Sequence, residues 1–285
     1  MTAATLSPSG PVAAVPTVRR PGHGVTFPGI LRSEWIKTWS LRSTVWSLAI
    51  AVVLMTGTTA LLAWGASTDP AANGEFSAAE LVGPGAYFAQ LVLAVLGVLT
   101  ITGEYSTGQI RSTIVSVPRR SPALVAKAII LAAVAALTTL VGVVTGTLAA
   151  MPFHDKLGIT LDLSDGETLR MLGGMPLYIA GIALLGFAIG ALVRSSPGAL
   201  GIVLGLLLVV EQVVAAIPLA FFDRIEPFLP SNAGSRLITS QESIDTVNAA
   251  SIGADLGAWQ GYGVLLAWVA VLMVLAAVLL RRRDA

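Results

Sequence analysis

The chain has 285 residues, of which 55% are hydrophobic and 12% charged, and its mean hydropathy is +0.81. Soluble domains carry about twice that charged fraction, so a water-soluble fold is excluded and lipid must supply most of the solvent. A net charge of +1 excludes the global basic footprint that nucleic acid demands, and the absence of cysteine excludes disulfides, thiolate nucleophiles and cysteine-held metals.

In chain order, residues 1–27 are rich in proline, alanine and threonine without an apolar run, which predicts a disordered tail and not a signal peptide. The rest, 28–285, reads as a single transmembrane domain. From Ile30 to Leu41, Leu31, Trp35 and Trp39 recur at i, i+4 and i+8, with Arg32 and Glu34 on other faces. This predicts an interfacial helix in which Trp35 and Trp39 sit at headgroup level while Lys37 and Arg42 meet lipid phosphates. The stretch from Ser40 to Ser43 reads as a break before the first span.

A helix needs about 20 apolar residues to cross about 30 Å of hydrocarbon. Six segments meet that test: 44–66, 81–102, 122–150, 172–193, 198–222 and 259–280. The fold class is therefore an all-α membrane protein of six transmembrane helices. Placing both termini in the cytoplasm puts 13 of the 17 basic residues inside, leaving Lys156, Arg170, Arg224 and Arg236 outside with 12 acidic residues. The longest connections, 67–80, 152–171 and 223–258, then lie outside. The last is too long for an idle loop; with Ser240 and Ser243 able to start a helix, it predicts short helices on the outer face.

Between spans two and three, Gly108 precedes Ile110, Ile114 and Val117 at helical spacing, Arg111 lies on another face and Pro118 stops the run. A stubby helix along the inner surface is expected. Arg119, Arg120 and Lys127 read first as positive-inside anchors. Glu211, followed by Gln212, is the acidic residue inside a span, and an ionisable group at mid-membrane is a functional candidate by default. It either lines a cavity, meets a cationic substrate or the second copy, or makes an interhelical hydrogen bond with Thr138, Thr139 or Thr145. Gly142/Gly146, Gly186/Gly190 and Gly201/Gly205 are spaced for close helix packing.

Catalytic chemistry is missing. No glycine-rich phosphate loop ends in Gly-Lys-Ser/Thr: Lys37, Lys127 and Lys156 follow Ile36, Ala126 and Asp155. No His-Glu-x-x-His pair is present to hold zinc, and His154 beside Asp155 reads as a surface histidine. Neither an enzyme nor a metal site is expected in this chain.

The Arg-Ser-Glu-Trp-Ile-Lys opening at Arg32, Gly-Glu-Tyr-x-x-Gly-x-Ile-Arg-Ser-Thr from Gly103, Pro-Arg-Arg from Pro118 and Leu-Pro-Ser-Asn-Ala-Gly from Leu229 resemble, in this order, actinobacterial ABC transporter permeases of the ABC-2 type. The resemblance covers the chain after residue 28. It implies one membrane-spanning half of a dimeric exporter in the bacterial plasma membrane, working by alternating access. The partners it implies are a second permease copy or a similar permease, and a separate ATPase subunit that would bind the ATP and Mg; none of these cofactors belongs to this chain. It also implies that Ile30 to Leu41 is the connecting helix and Glu104 to Val117 the coupling helix, with Glu104, Ile110, Arg111, Ile114 and Arg119 as the residues that couple to the ATPase. Apolar walls favour a lipophilic or amphipathic substrate. The other readings of the same topology are a membrane scaffold or sensor and an ATP-independent carrier.

Overall fold

The structure is a computed structural model that describes residues 26–68, 77–106, 120–217 and 219–283. Among the described residues it is nearly all helical, without a strand. The predicted tail falls almost wholly on residues 1–25, outside the described residues. The described chain opens at Thr26 and the helix α1 (Phe27–Ser40), with Pro28 in its first turn, where a missing N–H costs nothing. Leu41 is extended (φ −89°, ψ 113°), the break expected from the sequence, and α2 (Arg42–Thr68) follows at once.

Six helices among the described residues are long and apolar enough to span a membrane. After α2 come α3 (Ala78–Ser106), α4 (Arg120–Leu157), α5 (Gly166–Val193), α6 (Ser196–Ala216) and α10 (Ala258–Arg283). The predicted spans all fall on these helices, with two differences. The third runs past 150 to Leu157 and carries Pro152 within it, which places His154 on a helical turn instead of in a loop. The fifth stops at Ala216, not at 222: Ile217 is already extended (φ −98°, ψ 108°) and the next residue is Pro218, which disfavours helix in the residue before it.

The long final connection forms α7 (Ala220–Ile225), a 3₁₀ turn (Glu226–Phe228), α8 (Pro230–Ser235), a second 3₁₀ turn (Arg236–Ile238) and α9 (Gln241–Ala250), with Ser240 at the start of α9 as its sequence suggested. Helix ends are capped by local chemistry. Ser77 and Glu80 bond each other's backbone N–H at the head of α3 (2.9 and 3.2 Å), a reciprocal capping box. Asp165 accepts from Thr168 N at 2.8 Å to start α5, and Arg194 closes it in the left-handed region with φ 59°.

The core lies between α3 and α5, and α5 is the most buried span. Small residues permit this contact, because backbones can approach only where no side chain intervenes. A Cβ on Gly97 would stand 2.1 Å from the Ala183 carbonyl, and one on Gly186 2.4 Å from that of Ala94. The same logic joins α2 to α4, where a Cβ on Gly142 would meet the Met55 sulfur at 2.6 Å; nearby, Thr56 and Thr145 share a 2.6 Å hydrogen bond.

Candidate functional site

Two buried polar clusters stand out in this apolar bundle. The first gathers at the end of the bundle that carries α1. Glu34 is turned inward from α1, Glu104 sits on the last turns of α3 and Lys127 two turns into α4. Lys127 Nζ lies 2.5 Å from Glu34 and 2.8 Å from Glu104; Lys37 Nζ lies 2.7 Å from Glu34 and 3.6 Å from Glu104. Two carboxylates thus meet two ammonium groups. Glu34, Glu104 and Lys127 are each less than 9% exposed, so no member of the trio has water to fall back on. Burial alone would raise the Glu34 carboxyl, but Lys127 and then Lys37 overcome it and hold that carboxyl below its ordinary range. Burial would likewise lower the Lys37 ammonium, yet Glu34 and Glu104 together raise it.

This cluster extends the reading of three residues. Lys127 is an internal counter-ion and not only a positive-inside anchor. Glu34 lies off the Leu31, Trp35 and Trp39 stripe and packs inward with Ile30. Glu104 spends its carboxylate on Lys127 and Lys37 of its own chain. The other residues expected to couple to an ATPase, Ile110, Arg111, Ile114 and Arg119, lie outside the described residues. Trp35 and Trp39 pack edge to face 5.6 Å apart and remain exposed.

The second cluster surrounds Glu211. The carboxylate is 2% exposed and accepts a 2.9 Å hydrogen bond from the Ser231 backbone N–H at the start of α8. Ser231 Oγ shares a 2.9 Å bond with the Tyr178 hydroxyl, which itself donates to Gln90. Gln90 and Tyr178 lie twelve residues into α3 and α5, about 18 Å along each helix. The segment after span five therefore folds back into the bundle. Gly234 allows it, since a Cβ there would meet Leu265 at 2.6 Å and Tyr178 at 2.9 Å; Gly261 does the same from α10, 2.2 Å from the Ala233 carbonyl. The Leu-Pro-Ser-Asn-Ala-Gly motif is thus a packing motif whose Ser231 bonds both Glu211 and Tyr178.

The backbone of α6 serves Glu211 as well. On an α-helix residues four apart drift by about 40° per step, so Ala199, Val203, Leu207 and Glu211 would turn away from one face. Leu206–Val210 forms a π turn, in which the Glu211 N–H reaches back to Leu206 O, and the extra residue brings Glu211 back to the buried side. The threonines considered as its partners are engaged elsewhere: Thr138 and Thr139 bond Val134 O and Ala135 O of their own helix, and Thr145 bonds Thr56. Gln212 stands next to Glu211 on the exposed side.

Two arginines fasten the folded-back segment. Arg170 of α5 donates to the carbonyls of Arg236, Leu237 and Thr239 at 3.2, 3.0 and 2.9 Å. Arg236 donates to Asn248 at 2.7 Å and to Leu256 O at 2.6 Å. Beside them lies a recess of about 670 Å³ lined by Glu80, Asp165, Glu167 and Glu242. Three of these carboxylates hold backbone N–H groups, of Ser77, Thr168 and Gln241. Among the described residues no group of three or more metal-ligating side chains is assembled.

Sequence reasoning did not foresee Glu34, Lys127, Gln90, Tyr178 or Ser231 as partners. A signal existed for two of them: Lys127 and Gln90 are polar residues within apolar runs, and such residues need a partner.

The comparisons with known proteins agree with this architecture. The family model described as an ABC-2 family transporter protein matches residues 30–285, from the first buried residue of α1 to the C-terminus. No curated protein matches the chain. The six apolar helices and the match over nearly the whole chain together lead to one statement: this chain belongs to the ABC-2 transporter family and is a multi-pass membrane permease.

Proposed function

We propose that the chain is the membrane-spanning half of an ATP-driven exporter in the bacterial plasma membrane, paired with a second permease copy or a similar permease and driven by a separate ATPase. Both termini are cytoplasmic in this reading. The observation that carries it is the Glu34–Lys127–Glu104 cluster. Residues 107–119 join α3 to α4, and the cluster ties both flanking helix ends to each other and to α1. A push on that connection would move three helices together instead of being absorbed in one. Rigid-body displacement of packed helices is how alternating access reorients a cavity between permease halves. Ile110, Arg111, Ile114 and Arg119 meet the ATPase in this scheme, while Glu104 passes the movement inward. The cargo class is a lipophilic or amphipathic molecule.

Purification in mild detergent with identification of copurifying proteins tests the proposal. An ATPase subunit is expected to accompany the wild-type chain, and Arg111→Glu is expected to lose it or abolish stimulation of its hydrolysis. A chain that purifies alone under several gentle conditions, or an Arg111→Glu complex that hydrolyses ATP as before, contradicts the proposal. Flux without an ATPase would identify the ATP-independent carrier; absence of any ATP-dependent flux would leave the scaffold or sensor.

A further inference from the structure

The Arg236 guanidinium is short of partners. The residue is 8% exposed, and both of its hydrogen bonds leave from Nη1, to Asn248 and to Leu256 O. Nε and Nη2 bond nothing among the described residues, and no carboxylate among them comes within 4 Å. Those two nitrogens form the edge of the planar fork that grips two oxygens of one anion. Burial pulls the guanidinium below its ordinary range, and the longer-range attraction of Glu226 and Asp255 offsets this only in part. A buried cation without a counter-ion is costly, and an anion on that edge removes the cost.

There is room for one. Neither nitrogen is shut off from the surface, and Arg236 lines a recess of about 180 Å³ between the first 3₁₀ turn, α8 and α9. Asn232 and Glu226 share the lining, and their side chains bond nothing among the described residues. Asn232 is the polar side chain of the Leu-Pro-Ser-Asn-Ala-Gly motif that the packing around Glu211 leaves unused. An anion alone would meet Glu226 in this recess, and a cation alone would meet Arg236; a zwitterion answers both. The volume lies below the roughly 300–1,000 Å³ of drug-sized sites, which restricts the occupant to a small molecule or a headgroup. The bond from Arg236 to Leu256, two residues before α10 starts at Ala258, sets the recess at the mouth of a span, where lipid headgroups lie.

We propose that this recess, at the end of the bundle opposite α1, binds a zwitterion of the phosphoethanolamine type, with its oxyanion on the Nε–Nη2 edge of Arg236 and on Asn232, and its ammonium on Glu226. A membrane phospholipid and the free compound carry the same group. The site does not depend on the export reading.

The test uses the full-length protein in detergent, titrated with phosphoethanolamine, and with inorganic phosphate and ethanolamine as its two halves. Binding is followed by calorimetry. In parallel, protein exchanged into mixed phosphatidylethanolamine and phosphatidylglycerol is repurified, and the retained lipid is identified by mass spectrometry. Arg236 also fastens the folded-back segment, so the variants are Asn232→Ala and Glu226→Gln, whose unliganded unfolding temperatures should match wild type. Asn232→Ala is expected to weaken binding about tenfold, the worth of one hydrogen bond to a charged group. Glu226→Gln is expected to abolish the preference for phosphoethanolamine over inorganic phosphate. Preferential retention of phosphatidylethanolamine, lost in both variants, assigns the group to lipid; saturable binding of the free compound alone assigns it to the aqueous side. Either result supports the site. No saturable binding together with no preferential retention, or binding unchanged in both variants, overturns it.

Discussion

The two buried polar clusters are neutralised in different ways. At the α1 end, Glu34 and Glu104 face Lys127 and Lys37, side chain to side chain, across three helices. Around Glu211 no basic side chain is bonded among the described residues; the carboxylate leans on a backbone N–H, and Tyr178, Ser231 and Gln90 complete a neutral network. The contrast separates a charge-paired joint from a hydrogen-bonded one. A buried charge paired with charges loses much of its compensation when one partner goes, whereas a carboxylate held by a backbone amide tolerates any side chain that still accepts a hydrogen bond.

That difference sets the order of the expected effects. Lys127→Met should be the most damaging change, because it leaves two carboxylates buried together with only Lys37 beside them. Removing one partner of a buried pair costs about 3–5 kcal/mol, and thermal unfolding in detergent should show the shift. Next is the α3–α5 seam. Gly97→Leu must push Ala183 away, at an overpacking cost of about 1–3 kcal/mol or more, whereas Gly201→Leu, where a Cβ meets nothing within 4 Å, should leave the unfolding temperature unchanged. Smaller still is the second cluster: Glu211→Leu should cost about 1–3 kcal/mol by orphaning the Ser231 N–H, while Glu211→Gln keeps an acceptor and should behave as wild type in assembly. An unchanged transport rate in Glu211→Gln would make this residue structural; a loss of transport with normal assembly would make its charge functional.

The smallest effect is that of pH on α1. The depressed Glu34 carboxyl contributes stability that is present above its ordinary value of 4.5 and lost as pH falls through its lowered value. The raised Lys37 ammonium contributes stability that is complete below 10.5 and lost as pH rises through its raised value. Protease accessibility of α1 should therefore be flat across the neutral range and increase only at the two extremes. A transition near neutral pH would contradict the assigned pairing.

The spans and the break at Leu41 were legible because apolar runs and their punctuation are local signals. The early end of α6 was written in Pro218 but hidden by the apolar residues after it, Leu219 to Phe222. The joint between Glu34 and Lys127 was not legible, since its partners are 93 residues apart and each has a plausible local reason to exist. Glu211 was recognisable as a buried polar site from its type and position; its partner was not, because Ser231 reaches it only after the chain folds back on Gly234. That Gly142/Gly146 and Gly186/Gly190 pack within the chain while Gly201/Gly205 does not also depended on tertiary contacts, as all three pairs have the same spacing.

The most direct measurement of the central claim is ATP hydrolysis and cargo movement by the assembled complex carrying Lys127→Met, with Lys127→Arg beside it. The account predicts that Lys127→Met still binds the ATPase but no longer couples hydrolysis to transport, and that Lys127→Arg restores much of the coupling. Undiminished transport by a Lys127→Met complex of normal composition would contradict it.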